Sequence, residues 1–166
     1  GVPSLDAMAN VIPYIKGEED KVETEARKIL GRLDGGRILE APIAISAQCN
    51  RVPVLEGHTI AVNLRFGTQP TMAELEAALA SFVPDTAGLG LHTAPTSFVR
   101  VRHEADRPQP RRDVEEGGGM ELQVGRLRPC PVFGAKLVVL GHNTERGAAG
   151  ASVLNAELAL ARGFVR

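Results

Sequence analysis

From Thr59 to Phe66 the chain alternates, with Ile60, Val62, Leu64 and Phe66 on one side and Ala61, Asn63 and Arg65 on the other. Only a strand repeats its faces every second residue, so this run predicts a strand with one covered face. A second alternation, Val99 and Val101 against Arg100 and Arg102 between Phe98 and His103, predicts an antiparallel strand with one wet face. Met120, Leu122 and Val124 mark a further strand, Leu137 to Leu140 a more deeply buried one, and Ile43 to Gln48 a short one. Between them runs helical spacing. Ser4 as N-cap, with Leu5, Met8 and Ile12, predicts a helix over 4–12. Val22, Ala26, Ile29, Leu30 and Leu33 form the apolar stripe of a second helix, acidic at its start and ended by Gly35-Gly36. Thr71 and Glu74 make a capping box for a third helix, which runs through Leu75, Leu79 and Phe82 and is stopped by Pro84; Ala148 to Leu160 predicts the last. Arg107 to Gly119, with two prolines and a triple glycine, reads as a long connection rather than a packed element. The order α, α, β, β, α, β, β, β, α lacks the alternation of a doubly wound domain. It predicts an α+β fold, a largely antiparallel sheet with helices on one face.

At 166 residues the chain is expected to form one domain, 1–166, and no apolar run approaches the ~18 residues of a membrane span. Gly1-Val2-Pro3-Ser4 lacks the pattern of a signal peptide, and the absence of an initial Met suggests a start inside a longer gene. Net charge is −1, from 19 basic and 20 acidic residues mixed along the chain, which argues against nucleic acid or an anionic membrane as partner. With no Trp, one Tyr and five Phe there is no stacking platform for single strands. Two cysteines, Cys49 and Cys130, make no disulfide framework and point to a reducing cytoplasm. With the histidines they offer no ligand pair at zinc spacing, so no metal is expected. Nor does a Gly-x-Gly-x-x-Gly follow a strand near the start, so the chain lacks a recognisable dinucleotide fold of its own. Small-molecule chemistry remains.

The run Ile45-Ser46-Ala47-Gln48-Cys49-Asn50-Arg51-Val52-Pro53-Val54-Leu55-Glu56-Gly57-His58 places an arginine and a histidine in one connection between two expected strands. A guanidinium fork suits a carboxylate, because it makes two parallel charge-assisted bonds. An imidazole is the usual general base near neutral pH. Spacing alone favours a surface arginine and a loop histidine.

The segment from Ile45 to Phe66 resembles the substrate-binding and base segment of aspartate-semialdehyde dehydrogenases of the fungal and archaeal branch. Three further stretches carry the same resemblance in order: Gly1-Val2-Pro3-Ser4-Leu5-Asp6 with Val11-Ile12-Pro13-Tyr14-Ile15, then Arg107-Pro108-Gln109-Pro110-Arg111, then Leu140-Gly141-His142-Asn143-Thr144-Glu145-Arg146-Gly147-Ala148-Ala149-Gly150. The resemblance implies the C-terminal half of such an enzyme, a glyceraldehyde-3-phosphate-dehydrogenase-like domain. It also implies NADPH-dependent reduction of β-aspartyl phosphate to the semialdehyde through a cysteine thioester. By the same resemblance His58 is the general acid/base, Arg51 binds the substrate's α-carboxylate, Glu18 holds its amino group, Lys21 serves the phosphate, and Asn143 reaches the nicotinamide end of NADP. Glu19 is an alternative to Glu18, and a solvated helix start is an alternative for all three. For Asn143 the alternative is a capping residue at the start of the last helix, with Gly147 and Gly150 as packing glycines.

The departure is large. The nucleophilic cysteine and the NADP-binding domain of the family lie upstream of anything in this sequence, so the chain is expected to be inactive alone. Residues 142–166 are expected to pack back on that missing N-terminal domain, and a homodimer or homotetramer is implied. Cys49 reads as a structural, partly buried cysteine rather than the nucleophile. Two other readings stand beside this one, an N-acetylglutamyl-phosphate reductase, whose substrate amine is acylated, and a non-catalytic oligomerisation module.

Overall fold

The computed structural model describes residues 4–165. Gly1-Val2-Pro3 of the first resembling stretch, and the side chain of the expected N-cap Ser4, lie outside the described residues. The chain divides into two compact units, the first ending at Pro53 and the second starting at Val54.

In the first unit, α1 (Ser4–Ala7) stops well short of the expected Ile12. The chain leaves it through Ala9 in the left-handed region (φ 53°), and Asn10 Nδ2 donates to the Asp6 carbonyl at 3.0 Å. Helix α2 (Glu18–Ile29) follows, with Glu18, Glu19 and Asp20 in its first turn and Arg27 and Lys28 in its last, the charge order that a helix dipole favours. Its apolar stripe is present but not buried, since Val22, Ile29 and Leu30 all stay exposed. Gly35-Gly36 does not terminate this helix. It is the two-residue turn of a hairpin, β1 (Arg32–Asp34) against β2 (Arg37–Leu39), in which both glycines take the positive φ that a tight hairpin demands. The strand expected over Ile43 to Gln48 has no ladder partner among the described residues. Near its end the Ala47 N–H donates to a helix side chain instead, Glu23 Oε1.

The second unit holds a four-stranded sheet in the order β3-β6-β5-β4, from β3 (His58–Leu64), β4 (Val99–Val101), β5 (Leu122–Cys130) and β6 (Gly134–Gly141). β3–β6 and β5–β6 are antiparallel, as the alternating runs require. The β4–β5 pair is parallel, which corrects the antiparallel expectation for Phe98 to His103. Parallel neighbours need a crossover of about a dozen residues or more, and the stretch from Arg102 to Glu121 supplies it. That stretch also corrects the reading of Arg107 to Gly119 as an unpacked connection. It contains α4 (Pro110–Asp113) and a 3₁₀ turn (Glu116–Gly119), and Asp113, Val114 and Gly119 are buried. Helix α3 (Met72–Ala80) starts at the expected capping box: Thr71 Oγ1 accepts from Glu74 N–H at 3.2 Å, and Glu74 Oε2 accepts from Thr71 N–H at 2.8 Å. The last helix, α5 (Ala149–Ala161), packs Leu154 with Phe98 and Met120 into the core of this unit. Glu157 ties it to Thr93 N–H at 3.0 Å, while Val153 and Leu160 remain exposed. Helices and a mostly antiparallel sheet make the α+β fold expected from the pattern.

The basic face of β4 is wet at Arg100, which is exposed, but not at Arg102, and both guanidinium groups are paired. Arg100 makes a two-point bond to Glu121 (2.8 and 3.2 Å), and Arg102, 13% exposed, donates to Gln123 at 3.0 Å and pairs with Glu116. Beneath them lies Asp113, fully buried, which accepts from the Arg107 guanidinium, from Gln109 N–H at 2.5 Å, and has Arg102 at 3.6 Å. The Arg107 guanidinium holds the Asp113 carboxyl below the usual carboxylate range; burial opposes this and the Gln109 amide assists. A depressed carboxyl pKa stabilises the fold fully above the unfolded value of about 3.9 and ceases to do so as pH falls through the folded value. Asp113→Asn leaves two cationic side chains without their buried partner, so it is expected to cost about 3–5 kcal/mol. Urea unfolding checks this. The midpoint falls with the slope retained, and the variant loses the part of the wild-type decline in stability below about pH 4 that comes from this carboxylate.

Candidate active site

Of the expected site residues, Glu18, Lys21 and Arg51 belong to the first unit and His58 and Asn143 to the second. In the first unit α2 presents Glu18, half-buried, and Lys21, exposed, in its opening turn. Arg51 is half-buried and fixed through its backbone, its N–H donating to the Ile12 carbonyl at 2.9 Å and its carbonyl accepting from Ile12 N–H at 3.0 Å. Among the described residues none of these three side chains makes a hydrogen bond or ion pair, so each charged end stays free for a ligand. Glu19 differs. Its Oε1 accepts from Cys49 N–H at 2.8 Å, so this carboxylate is already engaged. The Cys49 thiol is pushed up by burial first, then by the charges of Glu19 and Glu18, the opposite of what activates a nucleophile. The Cys130 thiol is drawn down by the N–H groups of Phe133 and Val132 in the turn between β5 and β6. Among the described residues no group of His, Cys, Asp and Glu is arranged to hold a metal ion, and no helix is long and apolar enough to cross a membrane.

In the second unit His58 opens β3 with its side chain exposed, opposite Gly141 of β6. The residue before it, Gly57, is buried at φ +109°, where a Cβ would stand 2.9 Å from Leu140 Cδ1 and 3.3 Å from Pro110 and Val114. Its N–H donates to Asn143 Oδ1 at 2.9 Å. Asn143 therefore straps the start of β3 to the segment after β6. It does not cap α5, which begins only at Ala149. His142, 7% exposed, anchors that segment: its Nδ1 accepts from Thr144 N–H at 3.0 Å and from Glu145 N–H at 3.2 Å, while Nε2 lies 3.4 Å from Glu115. Gly150 lets the helix start close in, since a Cβ there would be 2.9 Å from the Glu145 carbonyl oxygen.

Sequence reasoning missed Gly57 and His142. A glycine directly before an expected strand, and a histidine directly before an asparagine, were the available signals. Neither residue declares from spacing alone that it bonds or accommodates backbone.

The model for the semialdehyde dehydrogenase dimerisation domain matches residues 1–146. The chain belongs to that family. An aspartate-semialdehyde dehydrogenase of Archaeoglobus fulgidus is 54% identical over 95% of this chain and 45% of its own length. One of Trichophyton rubrum is 47% identical over 99% of this chain and 48% of its own. The crystal structure of the Candida albicans aspartate-semialdehyde dehydrogenase with NADP superposes with a TM-score of 0.90 at 41% identity, covering 99% of this chain and 48% of that one. The chain thus spans about half the length of the curated relatives it matches. The resemblance to the branch shared by fungi and archaea agrees with both relatives.

The strap between Gly57 and Asn143 is open to test. Gly57→Ala forces a Cβ into a left-handed position facing Leu140 and is expected to destabilise the chain by about 1–3 kcal/mol. Asn143→Ala, which leaves the Gly57 amide unpaired, is expected to cost about 1–2 kcal/mol. Thermal unfolding measures both, and an unchanged Tm in the two variants refutes the strap.

Proposed function

We propose that this chain is the substrate-binding and dimerisation half of an aspartate-semialdehyde dehydrogenase. That enzyme reduces L-aspartyl-4-phosphate to L-aspartate 4-semialdehyde with NADPH and releases phosphate, on the way to lysine, threonine and methionine. One observation carries the reading: a relative 54% identical over 95% of the chain bears that name. Support comes from the charged ends left free. The substrate has an ammonium, a carboxylate and a phosphate, and three of this chain's side chains match them one for one. Arg51 clamps the α-carboxylate through its fork. Glu18 takes the ammonium, because Glu19 is engaged with the Cys49 amide. Lys21 meets the phosphate. Fixing three points of the substrate supplies binding held alike in the ground and transition states, which is expressed in KM.

His58, exposed at the first position of β3, moves the proton between thiol and leaving group as general acid/base. The thiol that it serves belongs to a cysteine outside this chain, since the Cys49 thiol is shifted away from activation. NADPH, held mainly by an N-terminal nucleotide-binding domain outside this chain, would supply the reducing equivalent. Toward it this chain offers Asn143, whose Oδ1 is occupied by Gly57 but whose Nδ2 makes no hydrogen bond among the described residues. The fit is a single donor. The family's dimerisation role supports a homodimer or homotetramer, and two unpaired cysteines support a cytoplasmic setting. An N-acetylglutamyl-phosphate reductase would leave Glu18 facing an uncharged amide, and a pure oligomerisation module gives no role to three charges unpaired among the described residues.

The isolated chain is expected to show no NADP-dependent turnover of aspartate semialdehyde with phosphate. Joined to a nucleotide-binding half such as that of the Archaeoglobus fulgidus relative, it gains activity. Arg51→Ala then lowers kcat/KM by about 10- to 100-fold, the value of a lost charge-assisted contact. His58→Ala lowers kcat by about 10²- to 10⁴-fold. Turnover by the isolated chain that depends on Cys49, or wild-type rates in both variants, overturns the assignment.

A further inference from the structure

Helix α2 carries two half-buried carboxylates, Glu19 and Glu23, that make no ion pair among the described residues. Glu19 Oε1 accepts from Cys49 N–H at 2.8 Å, and Glu23 Oε1 accepts from Ala47 N–H at 2.7 Å, contacts that span 30 and 24 residues of sequence. The next alternate amide, Arg51 N–H, donates to the Ile12 carbonyl at 2.9 Å. Three amides in strict alternation, at 47, 49 and 51, are therefore each held. The geometry matches because four residues of helix advance about 6 Å, and two residues of extended chain advance about 6.7 Å. Two side chains one helical turn apart thus stand where a neighbouring strand would bond Ala47 and Cys49, at the end of the strand expected over Ile43 to Gln48. Both distances fall in the range of charge-assisted bonds, which are about twice as strong as neutral ones.

We infer that Glu19 and Glu23 are positioning residues for the Arg51 guanidinium: they hold Ala47 to Cys49 in line and, with the Ile12 bridge, set where the clamp meets the substrate carboxylate. The inference rests on the reading of Arg51 as that clamp. Neither glutamate touches substrate. Glu18 and Glu19 are neighbours with different tasks, one free for a ligand and one committed to the backbone. A two-point carboxylate bond tolerates little displacement, so a guanidinium moved out of line loses one or both of its bonds to the substrate. Because Arg51 grips the same carboxylate in ground and transition states, its misplacement is read in KM rather than kcat. A purely structural loss would instead reduce the amount of active enzyme and lower kcat at constant KM.

The test uses the full-length dehydrogenase with this chain as its second half, assayed with aspartate semialdehyde, phosphate and NADP. The double variant Glu19→Ala/Glu23→Ala is expected to raise KM for the semialdehyde about tenfold, with kcat within about twofold. The same pair added to Arg51→Ala raises KM no further. Glu19→Gln/Glu23→Gln, whose amide oxygens still accept, restores most of the loss. If Arg51→Ala itself leaves KM unchanged, the clamp reading falls and the positioning role falls with it. If Arg51→Ala raises KM while the alanine pair does not, or lowers kcat alone, only the positioning role is overturned. A second readout does not depend on catalysis. In the chain carrying Cys130→Ser, Cys49 is the only thiol, and the Glu19 charge next to it opposes thiolate formation. Glu19→Gln is expected to shift the pH midpoint of the reaction of Cys49 with a disulfide reagent downward. An unmoved midpoint means that no carboxylate sits at the Cys49 amide, and it refutes the inference.

Discussion

A backbone N–H withdrawn from water must find an acceptor, and where a ladder or helix ends the acceptor has to be a side chain. In this chain that demand is met at the segments that bear on the candidate chemistry. Glu23 and Glu19 take the amides of Ala47 and Cys49, Asn143 takes that of Gly57, His142 takes those of Thr144 and Glu145, and Asp113 takes that of Gln109. Each contact shapes a stretch that regular secondary structure does not reach. Glu23, Glu19 and Asn143 come from distant parts of the sequence, so their contacts also fasten one segment to another, whereas His142 and Asp113 close local turns. A functional group on a segment so fastened is then held with the precision of the helix or sheet behind it.

The division of labour follows from charge. Side chains whose charge is spent on backbone or on a buried partner build the framework, as Glu19, Glu23 and Asp113 do. Glu18, Lys21 and Arg51, side chains of similar type that make no hydrogen bond or ion pair among the described residues, have their charge open to a ligand. Cys49 sits on the framework side of this line. Burial and two neighbouring carboxylates disfavour its thiolate, which suits an inert residue.

Alternation and capping were the most legible parts of the sequence. The strands at Thr59, Leu122 and Leu137 and the box at Thr71 and Glu74 were readable because period two and a reciprocal cap are local properties. Illegible features depended on partners far away. Ile43 to Gln48 has the composition of a strand, but at Ala47 and at Cys49 just beyond it the acceptors are two glutamates on a helix. Gly35-Gly36 fits a helix stop and a hairpin turn equally well until the pairing of Arg32 with Leu39 decides between them. The direction of β4 depends on what the chain does between Arg102 and Glu121, where the packing is built around one buried aspartate. The candidate site residues emerged through resemblance. The signals that would have located Gly57 and His142 are conformational and left little trace in residue type.

The order in which strands enter the sheet has a consequence for assembly. β6 lies between β3 and β5, yet it is the last strand in the sequence, and it pairs His58 with Gly141. During synthesis the edge that starts at His58 therefore waits for almost the whole second unit before it has a neighbour. Such long-range closure is entropically slow and leaves a hydrogen-bonding edge bare in the interim. A nascent or shortened chain that ends before Gly134 holds the histidine but has nothing to fix it in place, and it offers that unpaired edge to whatever chain is nearby.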